Sequence, residues 1–172
     1  GHTLLYAQSC KSIDRLIVST DSQEIADVAE QYGSEVLMRP PRLAEDKTPV
    51  WDVIRHVLIP DNLSYDYVVL LEPTSPLRQL GDVDKALPIL TQHPESDGIV
   101  SVAPFRFCPA WNAFTINNDG HLEYLVSSAQ RAYQRQQVPD VYHHCGALYI
   151  WRTDFVYQHP EGYQSGKFLP YY

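Results

Sequence analysis

The sequence is poor in cysteine, has no long apolar run and carries no excess of positive charge. Its three cysteines, Cys10, Cys108 and Cys145, are odd in number and widely spaced, which does not favour a disulfide framework. A reducing, cytoplasmic location is therefore expected. No apolar run reaches about 20 residues, the length that a membrane-spanning helix needs. The net charge of −8 argues against binding to nucleic acid or to an anionic membrane.

Composition and patterning are typical of a globular α/β protein. The chain has 172 residues, enough for one sizeable core, and is 44% hydrophobic and 20% charged. Predicted strands cover residues 15–20, 35–38, 67–71, 98–103 and 147–151, and predicted helices cover residues 4–12, 22–32, 49–58 and 82–90. This alternation predicts a mostly parallel, doubly wound sheet.

Local signals predict where two of the helices begin. Asp21 is expected to cap the helix that starts at Ser22, and Glu24 completes a capping box three residues later. Gly33 is expected to end this helix. Thr48 is expected to cap the next helix, with the proline that follows it at the first helical position.

The pattern changes after Pro104. Residues 111–117 alternate like a strand, Asn118-Asp119-Gly120 is a hairpin turn signal, and residues 121–124 return as the second strand. Residues 127–140 are too polar to pack in a core by themselves. This middle segment is therefore expected to be an exposed arm.

The most informative stretch runs from Leu70 to Arg78. A buried strand, 67–71, stops abruptly in a Pro-x-x-Pro turn that carries Glu72, Thr74 and Ser75. Ligands of open α/β sheets gather just beyond the carboxyl ends of such strands, so the turn is a candidate ligand site. From the residues alone, an ordinary strand-to-helix turn in which Thr74 or Ser75 caps the helix explains the pattern equally well.

This stretch closely resembles the Leu-Leu-Gln-Pro-Thr-Ser-Pro-Leu-Arg motif of the acylneuraminate cytidylyltransferase family, whose members make CMP-sialic acids. Further segments match other blocks of the family in order: 16–22 with 24–26, Arg39-Pro40 with Leu43-Ala44 and Asp46, Arg135-Gln136 with Tyr142, and 146–150. The resemblance implies a Rossmann-like α/β fold of the nucleotide-diphospho-sugar transferase type. It also implies one domain over residues 1–172, with residues 105–142 as a dimerisation and sugar-site insertion.

The activity implied by the resemblance is transfer of CMP from CTP to a nine-carbon 2-keto sugar acid such as N-acetylneuraminate, with release of pyrophosphate, in a homodimer. A different 2-keto sugar acid (legionaminic, pseudaminic or 3-deoxy-octulosonic acid) stays open as the acceptor. So does a catalytically inactive sugar-nucleotide-binding protein, because the family's Gly-rich phosphate loop and its Asp-x-Asp magnesium segment have no counterpart here. The sequence is therefore expected to be incomplete at both ends, with the Mg²⁺ ligands outside it.

The resemblance assigns nucleotide binding to residues of two loops: Arg39, Asp46, Lys47, Thr48 and Glu72. A guanidinium group suits phosphate or base-carbonyl contacts, and a helix N-terminus after Thr48 would favour an anion. From the residues alone, a solvated surface arginine is the favoured interpretation of Arg39. Glu72 stands where the family usually has Gln, and an ionised Glu can only accept hydrogen bonds.

For the sugar side, the resemblance assigns a catalytic role to Arg135 and substrate contacts to Thr74, Ser75, Gln136, Tyr142, Cys145 and Gly146. Without the resemblance, a basic residue in this polar segment is best interpreted as a solvated surface residue. Gln134 replaces the first arginine of the family's pair, so one positive charge is missing unless Arg131 replaces it. Cys145 stands where the family has Asn.

Two further interpretations concern nearby residues. Arg78 is expected to be structural and to bridge to Asp82 or Asp84 on the following helix. The run 143–145, His-His-Cys, is not expected to bind a metal, because adjacent side chains of an extended segment point to opposite faces. A cysteine nucleophile is a weak alternative, since the family needs no covalent intermediate.

Overall fold

The computed structural model describes residues 1–59, 65–105, 113–126 and 139–172. The chain divides into two compact units. The first contains Gly1–Ser101 and Gly146–Tyr172, and the second contains Val102–Cys145. Among the described residues, no helix is both long and apolar enough to cross a membrane.

Helices and strands alternate along the first unit. The helices are α1 (His2–Ser9), α2 (Gln23–Gln31), α3 (Val50–Leu58), α4 (Asp82–Thr91) and α5 (Thr153–Gln158). The strands are β1 (Ile17–Thr20), β2 (Glu35–Met38), β3 (Tyr67–Leu70), β4 (Gly98–Pro104), β5 (Phe114–Ile116), β6 (Leu122–Tyr124), β7 (Tyr142–Arg152) and β8 (Phe168–Tyr171). Strands β5 and β6 belong to the second unit, and β4 and β7 continue into it.

The strands of the first unit form two sheets. One has the order β3-β7-β4-β8, and the other is the pair β1-β2. Pairing is parallel between β1 and β2 and between β4 and β8, whereas β3 runs antiparallel to β7, with Val69 opposite Ile150. The predicted α/β fold is confirmed, and the sheet is mixed because β7 runs against β3.

The core lies on both faces of β7. On one face, β7 and helices α1 and α4 contribute to a buried cluster of Tyr6, Cys10, Val83, Ala86, Leu90, Ile99, Leu148 and Ile150. On the other face, Trp151 packs with α3 and α5 in a cluster of Trp51, Ile54, Leu58, Trp151, Phe155 and Val156. The rings of Trp51 and Trp151 meet edge to face at 5.2 Å between centroids, a favoured aromatic geometry.

The first of the two predicted helix caps is wrong by one residue. Helix α2 begins after Ser22, whose Oγ accepts a hydrogen bond from the backbone N–H of Ile25 at 3.4 Å. Asp21 does not cap the helix, because its carboxylate accepts a hydrogen bond from the Arg39 guanidinium at 3.2 Å. The predicted end is confirmed: Gly33 follows the C-cap with φ of 73°, a backbone conformation that glycine adopts readily.

The second predicted cap, Thr48, is also wrong. Helix α3 begins at Val50 after Pro49, which is the N-cap and has no side-chain hydrogen bond to offer. The Thr48 hydroxyl donates instead to the carbonyl oxygen of Arg42 at 3.2 Å. Thr48 therefore closes the loop that precedes the helix.

The second unit contains the predicted hairpin, which is confirmed for its described residues. Strands β5 and β6 are antiparallel, with Phe114 opposite Tyr124 and Ile116 opposite Leu122. At the turn, the side-chain oxygen of Asn117 accepts hydrogen bonds from two backbone N–H groups, and Gly120 has φ of 79°. The start of the predicted first strand, residues 111–112, lies outside the described residues.

Candidate functional site

A cleft of about 1450 Å³ opens in the first unit between β1 and β3, with α1, α2 and α3 in its walls. Most of its lining is apolar, as along Ile17 and Val18 of β1 and Val68 and Val69 of β3. Among the described residues, β1 pairs with β2 alone and β3 with β7 alone. Ligands of open α/β sheets bind beyond the carboxyl ends of the strands, and Ser19, Arg39 and Glu72 line the cleft at those ends.

Arg39 lies at that end of the cleft, directly after β2. Its backbone N–H donates to the carbonyl of Thr20 at 2.7 Å, which holds the residue beside the end of β1. One terminal nitrogen of the guanidinium donates to Asp21 at 3.2 Å. Its Nε is buried and has no hydrogen-bond partner in the described part of the chain. A buried donor without a partner costs stability, so an acceptor that reached this N–H after a local rearrangement would be stabilising.

Ser19, one residue before the end of β1, is a polar residue that the sequence reasoning missed. Its Oγ is buried without a hydrogen-bond partner among the described residues, and the residue lines the cleft. Hydroxyl residues at the carboxyl end of a strand that begins with two apolar residues are the sequence signal that could have revealed it. Ser19 and Arg39 each have a buried polar atom without a partner among the described residues, at the ends of two neighbouring strands.

The turn after β3 is held by hydrogen bonds to β7. Ser75 donates from its backbone N–H to the Glu72 carbonyl at 3.2 Å and from its hydroxyl to the Gly146 carbonyl at 3.0 Å. The guanidinium of Arg78 donates to the carbonyls of Glu72 and Ala147. The turn is therefore fixed to one point of the strand beside it.

The predicted bridge from Arg78 to Asp82 or Asp84 is wrong. The Asp84 carboxylate accepts hydrogen bonds from the backbone N–H groups of Lys11 and Ser12 at 3.1 and 2.9 Å. Asp82 accepts a hydrogen bond from the Tyr171 hydroxyl at 3.0 Å. Both carboxylates thus join α4 to other parts of the first unit.

Gly146 brings three of the predicted residues together. It has φ of 73°, and a Cβ placed on it would lie 3.2 Å from Oε2 of Glu72 and 3.5 Å from Oγ of Ser75. The Glu72 carboxylate therefore lies against the bare backbone of Gly146, and Glu72 itself lines the cleft. Thr74 is exposed on the same turn.

The other predicted residues are not brought into this group. Asp46 and Lys47 are exposed and Thr48 is partly exposed, and none of the three lines the cleft. Tyr142 and Cys145 belong to the second unit, where both are exposed. The predicted catalytic residue Arg135 and its neighbour Gln136 lie outside the described residues.

The described residues do not provide a ligand set for the Mg²⁺ that the resemblance implies. Within those residues, no group of three or more His, Cys, Asp or Glu side chains is placed to hold a metal ion. Glu72 is the predicted site carboxylate in the cleft, and it lies near Gly146 and interacts electrostatically with the Arg78 guanidinium.

The sequence is similar to those of known proteins. A family model described as cytidylyltransferase matches residues 1–168. Post-translational flagellin modification protein B of Campylobacter coli is 29% identical over 176 residues, which cover 98% of this chain and 73% of the relative. The CMP-N,N'-diacetyllegionaminic acid synthase of Legionella pneumophila is 35% identical over 126 residues, 71% of this chain and 53% of the relative.

A third relative, the N-acylneuraminate cytidylyltransferase of Escherichia coli, is 28% identical over 154 residues, 87% of this chain and 35% of the relative. The chain thus spans only about half or less of two of these three relatives. The activity, substrates and partners of the whole protein are therefore matters for proposal.

Solved structures show the same fold. A CMP:2-keto-3-deoxy-manno-octonic acid synthetase complexed with CTP superposes with a TM-score of 0.66 at 16% identity, covering 99% of this chain and 77% of that one. The 4-diphosphocytidyl-2C-methyl-D-erythritol synthase of Anaerococcus prevotii gives a TM-score of 0.62 at 15% identity, covering 95% and 63%. These similarities confirm the nucleotidyltransferase fold.

Proposed function

Because this chain belongs to the cytidylyltransferase family, we propose that it carries the nucleotide site of an enzyme that transfers CMP from CTP to a 2-keto sugar acid. The observation that supports this most is that Arg39 lines the cleft at the end of β2 and that its buried Nε has no hydrogen-bond partner among the described residues. A guanidinium group is suited to a phosphate or to the carbonyl of a pyrimidine base. We assign Arg39 to the nucleotide.

In the proposed reaction, the anomeric hydroxyl oxygen of the sugar acid attacks the α-phosphorus of CTP. A new phosphorus–oxygen bond forms, the bond to the β-phosphate oxygen breaks, pyrophosphate leaves, and the hydroxyl proton passes to solvent. The protein contributes mainly by positioning the reactants and by stabilising charge, as in other phosphoryl transfers. From the resemblance, we propose that Arg135 stabilises the transferring charge and that Gln136 and Tyr142 contact the sugar.

For the acceptor, we propose a nine-carbon sugar acid such as N-acetylneuraminate or legionaminic acid. Two of the relatives named above are a legionaminic acid synthase and a neuraminate cytidylyltransferase, which share this class of acceptor. Glu72 adds a constraint, because its ionised carboxylate accepts hydrogen bonds and repels another carboxylate. We therefore expect a hydroxyl or N–H group of a ligand at Glu72.

The first test is nucleotide choice. Calorimetry of the full-length protein with CTP, CMP, ATP and GTP in the presence of Mg²⁺ should show binding of the two cytidine nucleotides. The purine nucleotides should bind at least about tenfold more weakly, a difference of ~1.4 kcal/mol, because the resemblance implies a base site that fits a pyrimidine and excludes the larger base. Equal affinity for all four nucleotides would contradict the proposal.

We also propose that a second copy of the chain packs on the hairpin of the second unit. Phe114, Ile116, Leu122 and Tyr124 share one face of the hairpin, and Ile116 and Leu122 are 74% and 69% exposed. The opposite face carries the polar pair Thr115 and Glu123. An isolated two-stranded hairpin is only marginally stable, so its apolar face needs a partner surface. A homodimer, as the resemblance implies, would supply one.

A charge on the apolar face should separate the two copies. Ile116→Asp is expected to weaken self-association about a hundredfold, because the new carboxylate would be buried without a partner. Thr115→Asp, on the polar face, adds the same charge and should leave association unchanged. Sedimentation of the two variants and the unmodified chain over a concentration series measures the effect. An Ile116→Asp protein that stays as dimeric as Thr115→Asp would rule out this surface.

A further inference from the structure

Ser75 and Arg78 donate hydrogen bonds both to the turn after β3 and to β7. The Glu72 carbonyl accepts from the Ser75 N–H and from one terminal nitrogen of Arg78. On β7, the Gly146 carbonyl accepts from the Ser75 hydroxyl, and the carbonyl of the next residue, Ala147, accepts from Nε of Arg78. Arg78 is therefore the side chain that joins the backbone of Glu72 to β7 directly.

The planar guanidinium is needed for this junction. Its nitrogens form a rigid fork that reaches two acceptors at once, whereas the ammonium of a lysine is a point donor on a flexible stem. The Arg78 side chain is also packed, with its guanidinium carbon 5.9 Å from the centroid of the buried Tyr6 ring. Burial lowers the pKa of Arg78, an effect opposed by the neighbouring Tyr6 and Glu72. Its Nε and one terminal nitrogen each donate a hydrogen bond to a protein carbonyl.

The same junction decides where the Glu72 carboxylate lies. Oε2 of Glu72 is 3.2 Å from the position that a Cβ on Gly146 would occupy, so the carboxylate rests on the glycine backbone. Its distance from Gly146 depends on the register between the turn and β7, which the hydrogen bonds of Arg78 and Ser75 fix. A shift of the turn would move the carboxylate relative to the cleft.

We propose that Arg78 is a positioning residue, which holds the carboxylate of Glu72 against Gly146 at the polar end of the cleft so that Glu72 can select its ligand. This inference rests on the proposed function for its effect on catalysis. Arg78 donates to protein carbonyls and acts through Glu72.

Arg152, the last residue of β7, provides a matched control. Its guanidinium also donates to backbone carbonyls, those of Ser96 and Leu90 at 2.9 and 3.1 Å, and lies 5.5 Å from the centroid of the Tyr67 ring. It stands six residues after Gly146 on β7, a distance of about 20 Å along an extended strand. Arg152→Lys therefore removes the same kind of fork from the same sheet, away from Glu72.

The first measurement is hydrogen exchange, which does not depend on activity. In Arg78→Lys, amides of a peptide spanning residues 71–78 should exchange about tenfold faster than in the unmodified chain, since a charge-assisted hydrogen bond is lost. Arg152→Lys should leave this peptide unchanged. Unchanged exchange in Arg78→Lys, or equal acceleration in both variants, would overturn the proposal whether or not the protein transfers CMP.

The second measurement is CMP transfer by the full-length protein and by its variants. Arg78→Lys should lower kcat/KM for the sugar acid about tenfold, and Arg152→Lys should change it less than about twofold. In a Glu72→Ala background, Arg78→Lys should have little further effect, because the residue through which Arg78 acts is gone. Fully additive losses would show that Arg78 does not act through Glu72. An inactive full-length protein would refute the proposed function instead, and the exchange result would still decide the position of the turn.

Discussion

Gly98→Ala is expected to lower the free energy of unfolding by about 3 kcal/mol, at the upper end of the usual cost of overpacking a core. A Cβ on Gly98 would lie 2.5 Å from the carbonyl oxygen of Ile150 and 2.9 Å from Cδ1 of Trp151. The first of these atoms belongs to the backbone of β7, where Ile150 pairs with Val69 of β3, so it cannot move without disturbing that pairing. Gly98 opens β4, where the bare backbone lets the two strands meet at the core.

Gly81→Ala is the control for this prediction. Gly81 has φ of 81°, which an alanine adopts only with strain, but the nearest atom to a Cβ there is Cε of Lys85 at 4.0 Å. This substitution should cost about 1 kcal/mol from backbone strain alone. Urea denaturation followed by tryptophan fluorescence would measure both variants. If Gly98→Ala lowers the free energy of unfolding no more than Gly81→Ala does, β4 and β7 can move apart to admit the methyl group at no extra cost, and the prediction is wrong.

The parts of the fold that follow from local signals were predictable. The bounds predicted for β2, residues 35–38, and the start of α4 at Asp82 agree with the structure. Strand β8 was not predicted, and it contains Pro170, which cannot donate a hydrogen bond to a neighbouring strand. Pro170 is tolerated because β8 lies at the end of its sheet, where Pro170 pairs with Val100 of β4. The need for glycine at position 98 arises from residues about fifty positions later and has no local signal.

In the candidate site, too, some residues could be predicted from the sequence and others could not. Motif resemblance identified Glu72, Ser75 and Gly146, and the structure brings all three together. It could not identify the partners of Arg78, because a long side chain reaches backbone carbonyls that carry no sequence signature. The nearby carboxylate of Asp84 was the more visible partner, yet it accepts hydrogen bonds from the backbone after α1. Tertiary contacts, which sequence spacing does not reveal, decided both assignments.

Arg39→Ala is expected to weaken CTP binding about 10- to 100-fold, the loss typical of a charge-assisted hydrogen bond. Its effect on stability should be small. The ion pair with Asp21 is partly exposed, with 24% and 50% of the two side chains accessible, and such pairs contribute about 0–1 kcal/mol. Alanine also removes the buried Nε that has no partner among the described residues, which offsets part of that loss.

Two further variants decide whether the shape of Arg39 or only its charge matters. Arg39→Lys keeps the charge but not the fork, so CTP affinity should fall between those of the unmodified chain and Arg39→Ala. Arg42→Ala removes an exposed arginine from the same loop, outside the cleft lining, and should bind CTP normally. Calorimetric titration and thermal unfolding of the three variants give affinity and stability separately. Unchanged affinity with a large fall in melting temperature for Arg39→Ala would make Arg39 a structural residue.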